Sequence, residues 1–325
     1  MKILLLRQDR LGDLLISTGI IRNLRKIIPK AEIHLLLGTK NYFANHIVSN
    51  YIDKFYLYDK KLFNSIKLIS NLRNEKYDYV IDLFDNSSKT SELLIKLINA
   101  KTSVGLDKSN SHLYNNVIEL KQKSTTHIID RVANLLEMFT SQESLNKIDF
   151  SPEYNCKTNY DISNLLQFDN ENKILLINLF GSNESKFWGV ENHINLINKI
   201  ITESNFNILI STTKDRKETL DQIIFKIIDF DKFEGNRIKL VPFNNDLDYI
   251  STVISKVDLV LTPDTSIVHI SAAFKVKCTI LYPDTEEKYG GKYWTPYNSP
   301  YITLNAINGD LKSIKIDDVF KAINN

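Results

Sequence analysis

The chain has 325 residues, of which 43% are apolar and 25% are charged, which is typical of a soluble globular protein. This length suits two domains of about 150 residues better than a single hydrophobic core. The formal net charge of +2 argues against a protein-wide basic field, so we do not expect a nucleic-acid partner.

Cysteine content and hydropathy indicate a cytoplasmic protein. Cys156 and Cys278 are too few and too far apart for a disulfide framework or a zinc site, which favours a reducing compartment. The N-terminal apolar run is shorter than a signal peptide requires and ends at Arg7. No run approaches the roughly 18 apolar residues of a membrane span, although peripheral membrane contact stays open.

Short apolar strands alternate with amphipathic helices along the first half of the chain. In chain order, the predicted strands are Lys2–Arg7, Glu32–Leu37, Lys54–Tyr58, Tyr79–Leu83 and Lys101–Gly105. The predicted helices are Asp13–Ile28, Tyr42–Val48, Leu62–Asn74, Ser88–Ile98 and Ile128–Phe139. Strands that alternate with helices of this length predict βαβ units and a parallel sheet.

A polar stretch from Thr140 to Asn172 is predicted to be a linker, after which the alternation restarts. The later strands are predicted at Lys173–Leu179, Asn207–Ser211, Ile238–Val241, Leu259–Leu261 and Lys277–Leu281. The later helices are predicted at Val190–Ser204, Arg216–Ile228, Leu247–Ser255, Ser266–Phe274 and Ile316–Ile323. The pattern predicts two doubly wound α/β domains, residues 1–150 and 151–310, with a tail at 311–325 and a ligand cleft at the carboxyl ends of both sheets.

The turn after the strand at 259–261 is the most informative segment. It passes through Pro263 and Asp264, and Thr265 and Ser266 then open a helix. A helix N-terminus offers free N–H groups and a positive dipole end, which hold phosphates in α/β proteins. His269 lies one turn further along the same face. Capping and core packing explain each residue separately, but together they predict a diphosphate site.

An earlier strand-to-helix turn, Arg7-Gln-Asp-Arg-Leu-Gly-Asp13, offers a carboxylate. Gly12 permits a tight turn, and Asp13 lies at the helix start. There it serves either as an N-cap, the more common role of such an aspartate, or as a general base. The turn has one glycine where a dinucleotide-binding G-x-G-x-x-G fingerprint needs three, which argues against a nicotinamide enzyme.

A third turn, Gly181-Ser-Asn-Glu-Ser-Lys-Phe-Trp188, also lies between a strand and a helix. Gly181 and Ser182 offer backbone and hydroxyl donors, and Lys186 offers a charge that would neutralise phosphate. Trp188 either packs at the helix start or flanks the site. An ordinary surface loop with a solvated lysine is the alternative, but the position of the turn favours a site.

Other candidates carry weaker signals. Arg10, Lys60 and Lys61 are either solvated charges or contacts to an acidic acceptor. Phe243, after a predicted strand, is either a core aromatic or a residue that stacks on a base. Asp215 either caps a helix or contacts a ribose.

The three turns, in this order and at these distances, resemble glycosyltransferase family 9, the bacterial heptosyltransferases of lipopolysaccharide assembly. Arg10-Leu-Gly-Asp13 matches the N-terminal turn of the family, and Lys186-Phe-Trp188 matches its Lys-x-Trp element. Asp264-Thr-Ser-Ile-Val-His269 resembles its Asp-Thr-Gly-x-x-His pattern. The chain departs from the family at Ser266, where glycine is usual, and at Gly189, where proline often follows the tryptophan.

The resemblance implies a GT-B fold, with two Rossmann-like domains that face each other across a cleft. The acceptor domain would come first and the donor domain second, with the tail helix packed back on the first. It implies inverting transfer of a sugar, by default heptose, from a nucleotide diphosphate donor, first of all ADP-heptose. The acceptor would be a glycan or glycolipid such as the lipopolysaccharide core, at the cytoplasmic face of the inner membrane.

The resemblance also implies a role for each matching residue. Asp13 would deprotonate the acceptor hydroxyl, Lys186 would neutralise the leaving diphosphate, and Thr265 and Ser266 would bind it. The other implied donor contacts are Gly181 and Ser182 at the phosphates, Asp264 at the sugar, His269 behind the phosphate pocket and Phe243 at the base. No Asp-x-Asp motif stands beside the pocket, so neither a metal nor a cofactor besides the nucleotide sugar is expected.

Two other functions stay open on the sequence. A nucleotide-sugar epimerase on the same double-Rossmann plan needs more than one carboxylate or histidine near the sugar, and the first half offers Asp13, Asp82 and Asp85. A non-catalytic nucleotide-sugar-binding protein is the other alternative, and the joint presence of a base, a lysine and a phosphate pocket argues against it.

Overall fold

The structure, a computed structural model, describes residues 1–227, 233, 236–283 and 293–325. Contacts between Cα atoms divide the chain into two compact units, Met1–Asn155 and Cys156–Asn325. The boundary between them falls inside the predicted linker, Thr140–Asn172. No helix in the described ranges is both long and apolar enough to cross a membrane.

The first unit is built on a sheet of six parallel strands. The strands are β1 (Lys2–Arg7), β2 (Glu32–Gly38), β3 (Lys54–Tyr58), β4 (Tyr79–Asp82), β5 (Thr102–Leu106) and β6 (Asn116–Ile118). Their order is β3-β2-β1-β4-β5-β6. The order reverses between β1 and β4, and in open α/β sheets the ligand crevice lies at the carboxyl ends of the strands at such a point.

Helices flank this sheet. They are α1 (Leu11–Ile27), α2 (Leu62–Asn74), α3 (Lys89–Ile98), α4 (Ile128–Ala133) and α5 (Gln142–Leu145), with 3-10 helices at Tyr42–Val48, Ser111–Leu113 and Asn134–Met138. Gly19 of α1 packs directly on the backbone that follows α5. A Cβ there would lie 2.2 Å from the carbonyl oxygen of Phe150, so only glycine permits this approach. The start of the predicted linker is therefore packed structure.

The second unit repeats the architecture. Its strands are β7 (Ile174–Asn178), β8 (Asn207–Ser211), β9 (Ile238–Leu240), β10 (Leu259–Pro263), β11 (Lys277–Tyr282) and β12 (Tyr301–Asn305). Their order, β12-β11-β10-β7-β8-β9, is the same as in the first unit, and it reverses between β7 and β10. Every pair in both sheets is parallel.

The helices of the second unit are α6 (Ser163–Leu166), α7 (Val190–Glu203), α8 (Lys217–Phe225), α9 (Leu247–Ile254), α10 (Ser266–Ala273) and α11 (Ile316–Asn324). Further 3-10 helices lie at Glu184–Lys186, Lys214–Arg216 and Leu311–Ser313. The helix before β9 was predicted to reach Ile228, which lies outside the described residues.

The tail helix α11 groups with the second unit. Val319 and Ile323 on its apolar face are buried in the core of that unit, where the helix contacts α7, β11 and β12. Asp317 lies 3.3 Å from Lys199 of α7. This packing differs from the expectation that the tail would lie on the first domain, because its apolar face is taken up within the second.

The predicted α/β class with two doubly wound sheets is confirmed. Sequence patterns missed two strands, β6 and β12. Both lie at a sheet edge and contain no buried residue, whereas the predicted edge strands β3 and β9 each contain one. The predicted helix from Ile128 begins there as α4 but continues as a 3-10 helix after Ala133.

Candidate active site

Asp13 lies in the first turn of α1, next to the carboxyl end of β1. Its Oδ2 accepts a hydrogen bond from the backbone N–H of Arg10 at 3.1 Å, so it caps the helix start. Its Oδ1 lies 3.5 Å from Nη2 of Arg7. The side chain is nevertheless 19% exposed. Capping and chemistry, which the sequence offered as alternatives, are therefore compatible at this residue.

Arg7 at the end of β1 is the residue that holds this turn together, and sequence analysis gave it no role. It is 1% exposed. Its Nε donates to the main-chain oxygen of Asp13 at 2.9 Å, and its Nη1 donates to the oxygen of Leu83 at 2.8 Å. The guanidinium thus ties β1, α1 and the end of β4 to each other. A charged residue at the end of an otherwise apolar strand was the available signal.

Asp82, which the epimerase alternative counted as a second acid, is fully buried at the end of β4. Its Oδ2 accepts from Nζ of Lys108 at 2.9 Å and from the hydroxyl of Tyr114 at 2.7 Å. Burial, together with the charge of Asp82, raises the pKa of Tyr114. Asp85 lies 3.8 Å from Arg131. The Asp82 carboxylate therefore stabilises the interior through its hydrogen bonds and is not available to a substrate.

In the second unit, the turn after β7 is folded into a short hairpin. Phe180 and Phe187 form an antiparallel bridge, and their rings stack at 4.1 Å. A Cβ on Gly181 would lie 2.4 Å from the Cβ of Lys186, so glycine lets the lysine cross the turn. The N–H of Gly181 donates to the carbonyl of Lys186 at 3.2 Å. Contrary to the expectation that Gly181 offers this donor to phosphate, it shapes the turn, while Ser182 is exposed beside it.

Lys186 joins the turn after β7 to the turn after β10. Its Nζ donates to Oδ2 of Asp264 at 2.6 Å and to the main-chain oxygen of Asp264 at 2.8 Å. The two side chains are 16% and 18% exposed, so the ion pair is partly shielded from water. The structure thus brings together two residues that the sequence predicted separately.

Hydrogen bonds between an amide and two hydroxyl groups connect the end of β7 to the turn after β10. Asn178, the last residue of β7, donates to Oγ1 of Thr262 at 2.9 Å. Oγ1 of Thr262 lies 3.3 Å from Oγ1 of Thr265. Thr262 is fully buried, and Asn178 is 7% exposed. These contacts fix the start of α10 relative to the turn that carries Lys186.

Thr265 is the N-cap of α10, and its Oγ1 accepts from the N–H of Ile267 at 3.2 Å. Ser266 follows as the first helical residue and is half-buried. A start of this kind directs the N–H groups of the first turn and the positive end of the helix dipole outward. His269 is 5% exposed, and its ring lies 5.8 Å from that of Trp294. His269 therefore lies on the buried face of α10.

Arg216, which sequence analysis did not single out, adds a second cation. It comes from the turn after β8, and its guanidinium lies 4.8 Å from the centre of the Phe180 ring. It pairs with Glu184 on the Lys186 turn and lies 3.6 Å from Asp215. The available signal was its position in a strand-to-helix turn beside the predicted Asp215.

Asp215 and Phe243 lie at the carboxyl ends of the outer strands. Asp215, after β8, is 75% exposed, and a hydrogen bond with Thr213 lowers the pKa of its carboxyl. Phe243, after β9, is 40% exposed. Phe243 is therefore a surface aromatic at this edge of the sheet rather than a core residue.

Trp188 and Gly189 have structural roles. Trp188 is 1% exposed, and its Nε1 donates to the carbonyl of Ile314 at 3.0 Å. Of its two predicted roles, it has the one at the helix start. Gly189 has a φ of +103°, which a proline ring fixed near −65° cannot adopt. The departure from the family's proline thus has a backbone explanation.

The weaker acceptor candidates are all exposed. Arg10 precedes Asp13 in the turn after β1, and Lys60 and Lys61 follow β3. Because β3 lies two strands from β1, about 10 Å separates these turns along the sheet edge. All three lie at the carboxyl end of the first sheet, but the structure places Lys60 and Lys61 apart from the Asp13 carboxylate, which Arg10 contacts through its backbone N–H.

The described residues contain one group with metal-ligand spacing, formed by Glu32, His34 and Glu75. It lies at the amino end of the first sheet, opposite Asp13. Lys2 and Lys54 each hold Glu75 at 2.6 Å and lower the pKa of its carboxyl to about 2. Burial lowers the pKa of His34. The ammonium groups of Lys2 and Lys54 therefore already neutralise the Glu75 carboxylate that a metal cation would bind.

Comparison with known proteins places the chain in a family. Residues 65–324 match the model of glycosyltransferase family 9, described as heptosyltransferase. The chain belongs to this family. It is 23% identical over 274 residues to the lipopolysaccharide core heptosyltransferase OpsX of Haemophilus influenzae, covering 82% of this chain and 74% of that protein. It is 21% identical over 286 residues to lipopolysaccharide heptosyltransferase 1 of Campylobacter coli, covering 84% and 81%.

Solved structures show the same fold. A glycosyltransferase family 9 protein from Veillonella parvula has a TM-score of 0.75 at 19% identity, covering 99% of this chain and 96% of that one. The E. coli heptosyltransferase WaaC with ADP has a TM-score of 0.72 at 15% identity, covering 100% and 97%. A UDP-GlcNAc 2-epimerase from Methanocaldococcus jannaschii scores lower, at 0.59 with 16% identity, covering 100% and 92%. The predicted GT-B fold is confirmed. As a member of family 9, the protein is a glycosyltransferase.

Proposed function

We propose that the protein transfers heptose from ADP-heptose to a hydroxyl of the lipopolysaccharide core, with inversion at the sugar. The observation that carries this proposal is the matching position of two groups. The carboxylate of Asp13 lies where the strand order of the first sheet reverses. The start of α10, beside the ion pair of Lys186 and Asp264, lies at the corresponding point of the second sheet. Curated relatives in the family are named as lipopolysaccharide heptosyltransferases.

On the acceptor side, Asp13 acts as the general base. The acceptor oxygen bonds to the anomeric carbon while the bond from that carbon to the diphosphate oxygen breaks, and Asp13 takes the hydroxyl proton. Two features suit it to this task. Its partial exposure leaves the carboxylate accessible, and the Arg7 and Arg10 contacts restrict its rotation. Arg7 is a positioning residue, because it acts on the carboxylate rather than on the substrates.

On the donor side, charge stabilisation replaces proton transfer. The diphosphate leaves with a growing negative charge, which Lys186 and the N–H groups at the start of α10 stabilise without a metal. Thr265 and Ser266 bind the phosphate oxygens, and the Ser266 hydroxyl adds a donor where the family usually has glycine. Asp264 holds Lys186 in place and faces the sugar.

The remaining donor contacts follow the edge of the second sheet. His269 supports the helix behind the phosphates, and Ser182 donates its hydroxyl from the turn after β7. Phe243 stacks on the adenine, and Asp215 binds the ribose. Arg216 lies at the same rim, where it pairs with Glu184 and lies 3.6 Å from Asp215. The nucleotide sugar is a co-substrate, and the chemistry as proposed needs no separate cofactor.

The proposed location follows from the acceptor. The lipopolysaccharide core is built on a glycolipid precursor, so the enzyme would work at the cytoplasmic face of the inner membrane in peripheral contact with it. Arg10, Lys60 and Lys61 lie on the acceptor unit at the edge that carries Asp13, where they would meet the acidic groups of such an acceptor.

The direct test is a calorimetric panel of ADP, GDP and UDP with the intact chain, followed by turnover of ADP-heptose with a lipopolysaccharide core acceptor. Binding of ADP alone and transfer of heptose are the expected results. Equal binding of all three nucleotides, or an isomerised sugar formed from donor without acceptor, would refute the proposed specificity or reaction. Lys186→Met is the site variant for the titration, with Lys199→Met of α7 as the matched control.

A further inference from the structure

The first turns of α2 expose three large apolar side chains. Leu62 is 72% exposed, Phe63 is 84% exposed and Ile66 is 58% exposed. The opposite face of the same helix is buried, with Leu68 and Leu72 in the core of the first unit. The exposed side chains are therefore surplus to folding. Adjacent apolar residues exposed in this way mark interaction sites.

Lysines border this apolar surface. Lys60, Lys61 and Lys67 are exposed, and none of them forms an ion pair within the described part of the chain. Asp59 is the one acid between residues 59 and 70, and its carboxylate already accepts from Asn64 and from the N–H of Lys61. We call these three apolar residues and three lysines the α2 patch. It combines apolar side chains with a net positive charge, because three lysines face the single carboxylate of Asp59.

We propose that the α2 patch docks the protein on the surface of an anionic phospholipid bilayer. Apolar side chains at the start of a helix enter the boundary between head groups and acyl chains, and the surrounding lysines bind the acidic head groups. The charges favour this occupant, because a second copy of the same patch would bring two sets of lysines together. The inference deepens the proposed function, since it rests on a membrane-borne acceptor.

The place of the patch in the fold gives the docking a purpose. Lys60 and Lys61 follow the carboxyl end of β3, and α2 runs from there towards the amino end of the sheet. The patch therefore lies at the edge that also carries Asp13, two strands away along the order β3-β2-β1. A bilayer bound at this edge would present a glycolipid acceptor on the same side of the first unit as the base.

The test is co-sedimentation of the intact chain with vesicles of phosphatidylcholine alone and of phosphatidylcholine with an equal part of phosphatidylglycerol. Binding to the anionic vesicles that falls with added salt is expected. Phe63→Ser should weaken this binding roughly tenfold or more, because it removes a phenyl group that would otherwise be buried among the acyl chains. The double change Lys60→Glu and Lys61→Glu should weaken it at least about tenfold and reduce its salt dependence.

Two controls match these variants. Phe225→Ser removes a phenyl group that is 91% exposed on α8 of the second unit. Lys30→Glu reverses an exposed lysine just before β2, at the opposite edge of the first sheet. Both controls should sediment with anionic vesicles as the unchanged chain does. Circular dichroism and ADP calorimetry should match the unchanged chain for Phe63→Ser.

Several outcomes would overturn the inference. Equal binding by Phe63→Ser and the unchanged chain would do so, as would binding only to vesicles that contain the glycolipid acceptor. A dimer of the unchanged chain that Phe63→Ser dissociates in the ultracentrifuge would assign the patch to self-association. ADP binding that persists while vesicle binding is absent would reject the docking and leave the proposed function standing. If the unchanged chain does not bind ADP, the proposed function is rejected instead.

Discussion

Replacing Asp13 by asparagine separates its two roles, because the amide retains an oxygen that can cap the helix but is not a base. The amide oxygen can still accept from the N–H of Arg10, which lies 3.1 Å from Oδ2 in the structure. Arg7 keeps its two bonds to main-chain oxygens at 2.9 and 2.8 Å. The fold should therefore survive the change.

The magnitudes differ strongly between stability and catalysis. A hydrogen bond to a charged group contributes about 1.5–3 kcal/mol and one between neutral groups about 1 kcal/mol, so Asp13→Asn should cost about 1 kcal/mol of unfolding free energy. Loss of a general base lowers kcat about 10²–10⁴-fold, which corresponds to about 3–5 kcal/mol of activation free energy. The turnover loss should therefore far exceed anything that destabilisation produces.

The assay measures kcat with ADP-heptose and a lipopolysaccharide core acceptor, together with ADP calorimetry and urea denaturation. ADP affinity should stay unchanged, because the proposed nucleotide contacts belong to the second unit. Asp9→Asn is the comparison variant, since Asp9 is a second acid in the same turn, and burial together with the charge of Asp13 raises its pKa. A kcat for Asp13→Asn within roughly threefold of the unchanged enzyme, or an equal loss in Asp9→Asn, would refute the assignment of the base.

Three further changes test other parts of the structure. Lys186→Met should lower kcat about 10²-fold or more and weaken ADP binding, and Lys199→Met should change neither by more than roughly threefold; unchanged turnover in the first would contradict the diphosphate role. Gly19→Ala should cost about 2 kcal/mol or more of unfolding free energy, because its Cβ would meet a carbonyl oxygen at 2.2 Å; an unchanged urea midpoint would contradict this close packing. The pKa of Glu75 is lowered from 4.5 to about 2, so its ion pairs stabilise the fold fully above pH 4.5 and lose that effect as the pH falls towards 2. Glu75→Gln should therefore cost about 2 kcal/mol at neutral pH, after allowance for the half-exposed Lys54, and this difference should vanish near pH 2 in acid-dependent denaturation; a difference that persists there would rule out the linkage.

Local patterns predicted most of the secondary structure. Apolar runs bounded by polar residues place β1, β3 and β8 at the residues where the structure has them. The periodicity of α2 predicts its bounds just as well. These elements are packed against their neighbours on at least one face, so apolar residues recur in their sequence at the positions of that face. The edge strands β6 and β12 contain no buried residue, unlike the edge strand β3, and for this reason they were missed.

The site was predicted in pieces. Asp13, Lys186 and Thr265 stand in strand-to-helix turns, and such turns can be located from sequence alone because strand and helix have different apolar periods. Arg7 and Arg216 were missed, since their role depends on the strands and turns that lie beside them. The hydrogen bond from the N–H of Gly181 to the carbonyl of Lys186 was not predicted, because the fold of this turn does not follow from the order of its residues.

The sequence by itself determined the alternation of strands and helices, the polar turns between them and the family that these turns resemble. Only the tertiary structure decided which turns are neighbours. Asn178 and Thr262 are 84 residues apart in the chain yet share a hydrogen bond, because β7 and β10 pair at the point where the strand order reverses. Such pairing depends on how all the helices and strands pack around one sheet, and no local pattern encodes that sum. The same packing joins Lys186 to Asp264 and leaves Phe63 exposed beside three lysines.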